Sequence, residues 1–128
     1  MINEIHILKK KLNINEHIIT KWFENKGWNY YFHQLKTIES IKNGKNVTLI
    51  SPTGSGKTLA GFLPTFFELS NNKKPRSIHT LYISPLKSLT KDIEKNLIKP
   101  NEELNLGINI QSRTGDTSFS KKQEQIHN

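Results

Sequence analysis

No cysteine occurs among the 128 residues. Disulfide scaffolds, thiolate zinc sites and cysteine nucleophiles are thereby excluded, and stability is left to packing or to partners. Arginine is scarce, with Arg76 and Arg113 its only occurrences, so an arginine-rich lid of the kind a nucleotide kinase uses is missing. Apolar runs reach about six residues, far short of the roughly 20 that span a bilayer. The start of the chain passes from Asn3, Glu4 and His6 to Lys9, Lys10 and Lys11 with no apolar block behind them, which is not the order of a secretory leader. The expectation is a soluble, cytoplasmic protein with no membrane partner.

The apolar share is 34% and the mean hydropathy is −0.61, so the core that this chain builds alone is thin. The length fits a single unit of about 100 to 150 residues. Formal charge is +8, with eight basic against four acidic residues before Thr48 and eleven against seven after it. A positive field this diffuse favours phosphate-bearing partners but marks no dedicated basic tail. His6, His17, His33, His79 and His127 show no metal-ligand spacing, and packing or surface roles are expected for them.

Turn residues punctuate alternating helical and strand-like stretches, the pattern of an α/β design. Asn15 is expected to cap a helix through Lys26, with Ile18, Ile19, Trp22 and Phe23 on one face and Gly27 at its stop. A second helix is predicted from His33 to Asn43, closed by Gly44. Val47 to Ser51 reads as a strand, followed by a glycine-rich turn and a helix from Thr58 to Leu69 that Pro64 should bend. Beyond the polar loop from Asn71 to Ser77, a second strand is expected over Thr80 to Ser84 and a helix over Leu86 to Ile98, ending before Pro100. A third strand is predicted over Gly107 to Gln111 and a charged helical stub from Ser120 to His127.

The strand-to-helix turn carries the chemistry. Ser51, Pro52, Thr53, Gly54, Ser55, Gly56, Lys57 and Thr58 match the phosphate-loop pattern with Ser51 in place of the first glycine. Glycines let the backbone coil so that successive N–H groups converge on one phosphate, and the positive end of the following helix points at the same place. Lys57 then reaches the β- and γ-phosphates, and the Thr58 hydroxyl ligates the accompanying Mg2+. ATP and Mg2+ are the expected cofactors. Lys57 and Thr58 are the candidate catalytic residues, with Thr53, Gly54, Ser55 and Gly56 completing the nucleotide cradle.

Downstream, Leu81 to Leu89 contains Tyr-Ile-Ser-Pro-Leu-Lys, and Arg113 to Thr117 reads Arg-Thr-Gly-Asp-Thr. With Gln34 and the phosphate loop, these segments resemble motifs Q, I, Ia and Ib/Ic of superfamily 2 DEAD/DEAH-box helicases in their expected order. More narrowly, residues 20 to 125 are similar to the large helicase-related (Lhr-like) group and its DNA-ligase-associated DEXH-box relatives. The resemblance implies a P-loop NTPase of RecA-like fold, with a parallel sheet flanked by helices. Residues 1–32 would be a helical lead-in, and residues 33–128 an incomplete first lobe.

The same resemblance implies an ATP-dependent nucleic-acid translocase, with single-stranded DNA ahead of RNA as substrate. Pro85, Lys87, Arg113, Thr114 and Gly115 become backbone contacts, as their donors and approachable main chain suit. Without the family, Lys87 is a solvated lysine at a helix start and Asp116 a turn residue. Gln34 is implied to read the adenine edge, since an amide both donates and accepts; a capping or solvent-facing glutamine is the alternative. Trp28, Tyr30 and Phe32 are unranked candidates to stack on the base.

Hydrolysis in this family also needs an apolar strand ending in Asp-Glu, and none follows Thr117. Asp92 and Glu94 fall in a predicted helix, and Glu102 and Glu103 in a polar connection. The second lobe, with its arginine finger, is expected to come from the rest of a gene, so the chain is expected to be a truncated piece that binds nucleotide weakly and hydrolyses it negligibly. The competing expectation is a stand-alone nucleotide- or phosphate-binding fragment without catalysis.

Overall fold

A lone amphipathic helix is marginal in water, and most of its stability comes from packing its apolar face. In the computed structural model, which describes residues 2–52, 56–71 and 75–127, six helices follow one another: α1 (Ile2–Lys11), α2 (Ile18–Asn25), α3 (Phe32–Lys42), α4 (Lys57–Leu69), α5 (Lys87–Glu103) and α6 (Phe119–His127). The chain divides into two units, Met1–Asn71 and Asn72–Asn128.

The first unit is built around α3, which packs against α4 and α1. Leu35 of α3 and Leu63 of α4 are fully buried, and Ile38, Ala60, Phe62 and Phe66 join them. Leu8, Leu12 and Ile14 bring the first helix and its exit turn into the core, and Ile19 and Phe23 bring in α2. An ion pair between Lys11 and Glu39, at 3.0 Å, ties α1 to α3. Lys36 bonds the same carboxylate, and the two ammonium groups hold the Glu39 carboxyl below its ordinary range.

Helix α2 begins later than the sequence suggests. The amide of His17 donates to the Ile14 carbonyl at 3.1 Å, so the chain is still turning at Asn15. The cap is His17 itself, whose Nδ1 accepts from the Ile19 amide at 3.1 Å. Helix α3 ends as predicted at Gly44, whose φ of 75° lets the Lys45 amide fold back onto the Ser40 carbonyl at 2.9 Å.

The second unit is organised by α5. Asn101 holds the backbone of Ile108 from both sides, donating to its carbonyl at 2.7 Å and accepting from its amide at 2.9 Å. Buried Ser112 bonds Glu94, and Gln125 of α6 donates to the Ser112 carbonyl at 2.9 Å. Helix α5 does not stop before Pro100 but runs on to Glu103, with Pro100 buried. Proline removes one backbone N–H bond and its ring crowds the carbonyl four residues back; at Pro100, three residues from the end of α5, burial of the ring offsets that loss.

No strand forms among the described residues, which corrects the expectation for 47–51, 80–84 and 107–111. Ile50 is 91% exposed and Ile83 82% exposed, and Leu81 and Ile78 are also open to solvent. A parallel strand is stable only with neighbours in the ladder and helices over both faces. Among the described residues those segments form no ladder. No helix among the described residues is long and apolar enough to cross a membrane.

Candidate nucleotide and nucleic-acid sites

The phosphate loop lies in the first unit. Thr53, Gly54 and Ser55 lie outside the described residues, and its C-terminal part is set by the junction of α3 and α4. Gly56 caps α4 with φ 76° and ψ 25°, a left-handed conformation that suits glycine. Its carbonyl accepts the first intrahelical bond, from the Ala60 amide at 2.9 Å. The same carbonyl accepts from Gln34 Nε2 at 3.3 Å.

Gln34 therefore does two jobs at once. Its Oε1 accepts from the Tyr31 amide at 2.9 Å, closing the first turn of α3, while its Nε2 reaches across to α4. The residue is 2% exposed. The capping role weighed for this residue is present, and it is joined to a contact with the phosphate loop that sequence reading did not anticipate. A Cβ on Gly56 would stand 2.7 Å from Gln34 Nε2 and 3.3 Å from Cδ2 of Tyr31, so both side chains lie directly against the glycine. Lys57 and Thr58 follow in the first turn of α4, Lys57 half-buried and Thr58 exposed.

Of the aromatic candidates, Tyr30 is taken up by the core. Its ring stacks on Phe23 with centroids 4.3 Å apart, and its hydroxyl shares a 2.8 Å hydrogen bond with Thr20. Trp28 stands edge-on to Trp22 and Phe23. The aromatic beside Gly56 is instead Tyr31, exposed and stacked on His33 at 5.4 Å with 9° between the planes. Its place immediately before α3, three residues from Gln34, was the available signal.

The second unit holds the motif residues of the nucleic-acid side. A cleft of about 450 Å3 is lined by Lys87, Ser88 and Lys91 of α5, by Thr114, Asp116 and Thr117, and by Ser118 and Lys121 at the start of α6. The 113–117 turn is held by its own threonines: the Thr114 amide donates to Thr117 Oγ1 at 2.8 Å and the Asp116 amide to Thr114 Oγ1 at 3.2 Å. Lys87 runs past Gly115, where a Cβ would meet its Nζ at 3.6 Å. Its ammonium reaches both Asp116 carboxylate oxygens, at 3.2 and 3.3 Å. Lys87, Thr114 and Gly115 are thus brought together, whereas Pro85 and Arg113 are exposed and do not line the cleft.

Residues 31–128 match the DEAD/DEAH box helicase family. The chain belongs to that family. Among its relatives, the ATP-dependent helicase Lhr-Core of Methanocaldococcus jannaschii is 37% identical over 98% of this chain and 17% of its own length. The Lhr-Core of Sulfolobus acidocaldarius is 43% identical over 84% of this chain and 14% of its own. The Lhr helicase/uracil glycosylase of Escherichia coli is 32% identical over 74% of the chain and 7% of its own. No solved structure matches. The DEAD/DEAH box assignment implies the P-loop fold of RecA-like motors and the use of ATP, and this chain is similar to a stretch about one-sixth as long as the first of these relatives.

Proposed function

We propose that this chain is the nucleotide-gripping part of the first lobe of an Lhr-like ATP-dependent helicase that tracks along single-stranded DNA. The observation that supports it most is the Gly56 junction: a left-handed glycine heads α4, latched by Gln34, and sets Lys57 and Thr58 at the first turn. A helix start with a lysine and a hydroxyl in its first turn suits a triphosphate and its hard cation. Lys57 would hold the β- and γ-phosphates as a point charge, and Thr58 would give Mg2+ one oxygen. Thr53, Gly54 and Ser55 would turn their amides to the phosphates. The nucleotide supplies the free energy for lobe movement; this chain's residues bind and orient it.

Gln34 uses two of the four hydrogen-bonding positions of its amide within the protein; being 2% exposed, it would have to come out from beside Gly56 and Tyr31 to offer the other two to an adenine edge. Tyr31, exposed beside Gly56, is the ring placed to stack on the base. Pro85, Lys87, Arg113, Thr114 and Gly115 would follow the phosphate backbone of the tracked strand. In a whole lobe, residues 47–51, 80–84 and 107–111 would be neighbouring strands of a parallel sheet, the reading favoured by their apolar side chains. No Asp-Glu pair occurs among these 128 residues, so their part would be to bind and orient the nucleotide. Residues 1–32 would lead in to a lobe over 33–128.

Binding of a fluorescent ATP analogue with Mg2+ tests it. Lys57→Ala should weaken binding at least about tenfold, the worth of a charged phosphate contact. Equal affinity of the two proteins would remove the central inference.

A further inference from the structure

In the second unit, a cleft of about 450 Å3 holds three lysines, Lys87, Lys91 and Lys121, and a single carboxylate, Asp116. Only Lys87 was expected from motif residues. Lys91 stands four residues after Lys87 on α5, on the same face and about 6 Å further along the axis. That step is one that a nucleotide of an extended strand bridges. Lys121 approaches from α6, and Ser88, Thr114, Thr117 and Ser118 add hydroxyls between the ammonium groups. The chemistry is that of a phosphodiester cradle, three point charges with donors between them.

One feature opposes that use. The ammonium of Lys87 is engaged by both oxygens of Asp116, and both side chains are largely exposed. An exposed pair of this kind is weak and easily exchanged. A phosphate arriving in the cleft meets Lys87 already occupied and must take it from Asp116, which afterwards stands free as a negative charge beside the ligand.

We propose that Lys91 and Lys121 contact the phosphates of the tracked strand together with Lys87, and that Asp116 is an internal competitor which holds Lys87 until a phosphodiester displaces it. The inference rests on the nucleic-acid reading of Lys87 and goes beyond it by two binding residues and one restraining residue. The restraint gives the site a way to release the strand: Asp116 re-forms its pair when the phosphate moves on. All four side chains are exposed, so their substitution leaves the core untouched.

The test is the affinity of the full chain for a labelled oligothymidylate, measured across a range of KCl concentrations. Lys91→Ala and Lys121→Ala should each weaken binding and lower the slope of log affinity against log salt by about 0.7, the share of one phosphate contact on a single strand. Asp116→Asn should bind roughly two- to fivefold tighter, the range that an exposed ion pair is worth. It should also steepen the salt dependence, because the freed Asp116 of the native chain takes up a cation that asparagine does not.

In a Lys87→Ala background the gain from Asp116→Asn should shrink, since the competitor then has nothing to hold and only its repulsion of the phosphate is left. An undiminished gain there would make Asp116 a general repeller and overturn the competition. Unchanged slopes for both Lys91→Ala and Lys121→Ala would overturn the enlarged track while leaving Lys87 in place. If Lys87→Ala itself binds the oligonucleotide like the native chain, the nucleic-acid reading falls, and this inference with it. Displacement of the oligonucleotide by inorganic phosphate far below the chloride concentration needed would instead make the cleft a free-phosphate pocket and overturn the strand contact.

Discussion

The Ile19 amide donates to His17 Nδ1, and that nitrogen accepts only when it carries no proton. On the other side of the ring, Nε2 lies 3.0 Å from Ser70 Oγ, whose own proton goes to the Phe67 carbonyl, so Nε2–H donates and the ring is neutral. Burial lowers the His17 value below the ordinary 6.5, in keeping with that geometry. Since the folded value lies below the unfolded one, the stabilisation is complete above the ordinary 6.5 and is lost as pH falls through the folded value. His17→Ala should cost about 1 kcal/mol in urea unfolding at pH 7.5, the worth of an N-cap. The same variant should also flatten the stability profile between neutrality and pH 5. At Gly56, alanine would carry the left-handed backbone at a cost of about 1–2 kcal/mol, and its Cβ would push Gln34 off the Gly56 carbonyl. Gly56→Ala should therefore lose nucleotide affinity while its urea midpoint falls modestly, and an unchanged affinity would dissociate Gly56 from the site.

At the scale of elements, the helices were the readable part. Periodic apolar positions and turn residues placed α2, α3 and α4 to within a few residues, because a 3.6-residue stripe survives whatever it packs against, and α6 was legible only as a charged helical stub. Their ends were less readable. The start of α2 depends on a histidine acting as a cap, a use that hinges on tautomer and on a partner 53 residues away in Ser70. The end of α5 depends on Pro100 being buried, which local propensity does not register. Of the candidate site, the phosphate loop and the motif residues could be read from their order. The bridge from Gln34 to Gly56 and the Lys87 pair with Asp116 could not, since each joins segments whose juxtaposition is tertiary. The segment between α2 and α3 shows the same dependence. Tyr30 looked like a base-stacking candidate, yet burial, the largest influence on its phenol, pushes its pKa up to about 12, and its hydroxyl bonds Thr20. Tyr30→Phe should cost about 1–2 kcal/mol in stability by leaving Thr20 unpaired and should leave nucleotide affinity unchanged.

For the whole molecule, the distribution of apolar side chains sets two expectations against each other. By sequence alone, Val47 to Ser51 and Thr80 to Ser84 are strands of a sheet flanked by helices, which would bury them. In the structure the core sits instead where α3 meets α4, with Leu35 and Leu63 both 0% exposed, while Ile50 and Ile83 face solvent. A sheet is a collective object, and the free energy of a buried strand comes from neighbours on both edges and layers on both faces. Helices α3 and α4, by contrast, need only each other and the short segments around them. Core truncation in this chain should accordingly separate the two classes. Leu35→Ala and Leu63→Ala should each cost about 2–5 kcal/mol, which on a small core is enough to abolish cooperative unfolding. Ile50→Ala and Ile83→Ala should stay within about 0.5 kcal/mol, as exposed substitutions do. Urea titrations followed by far-ultraviolet circular dichroism compare all four. If Ile83→Ala proves as damaging as Leu35→Ala, residue 83 is buried in this chain, and a sheet already forms without further strands.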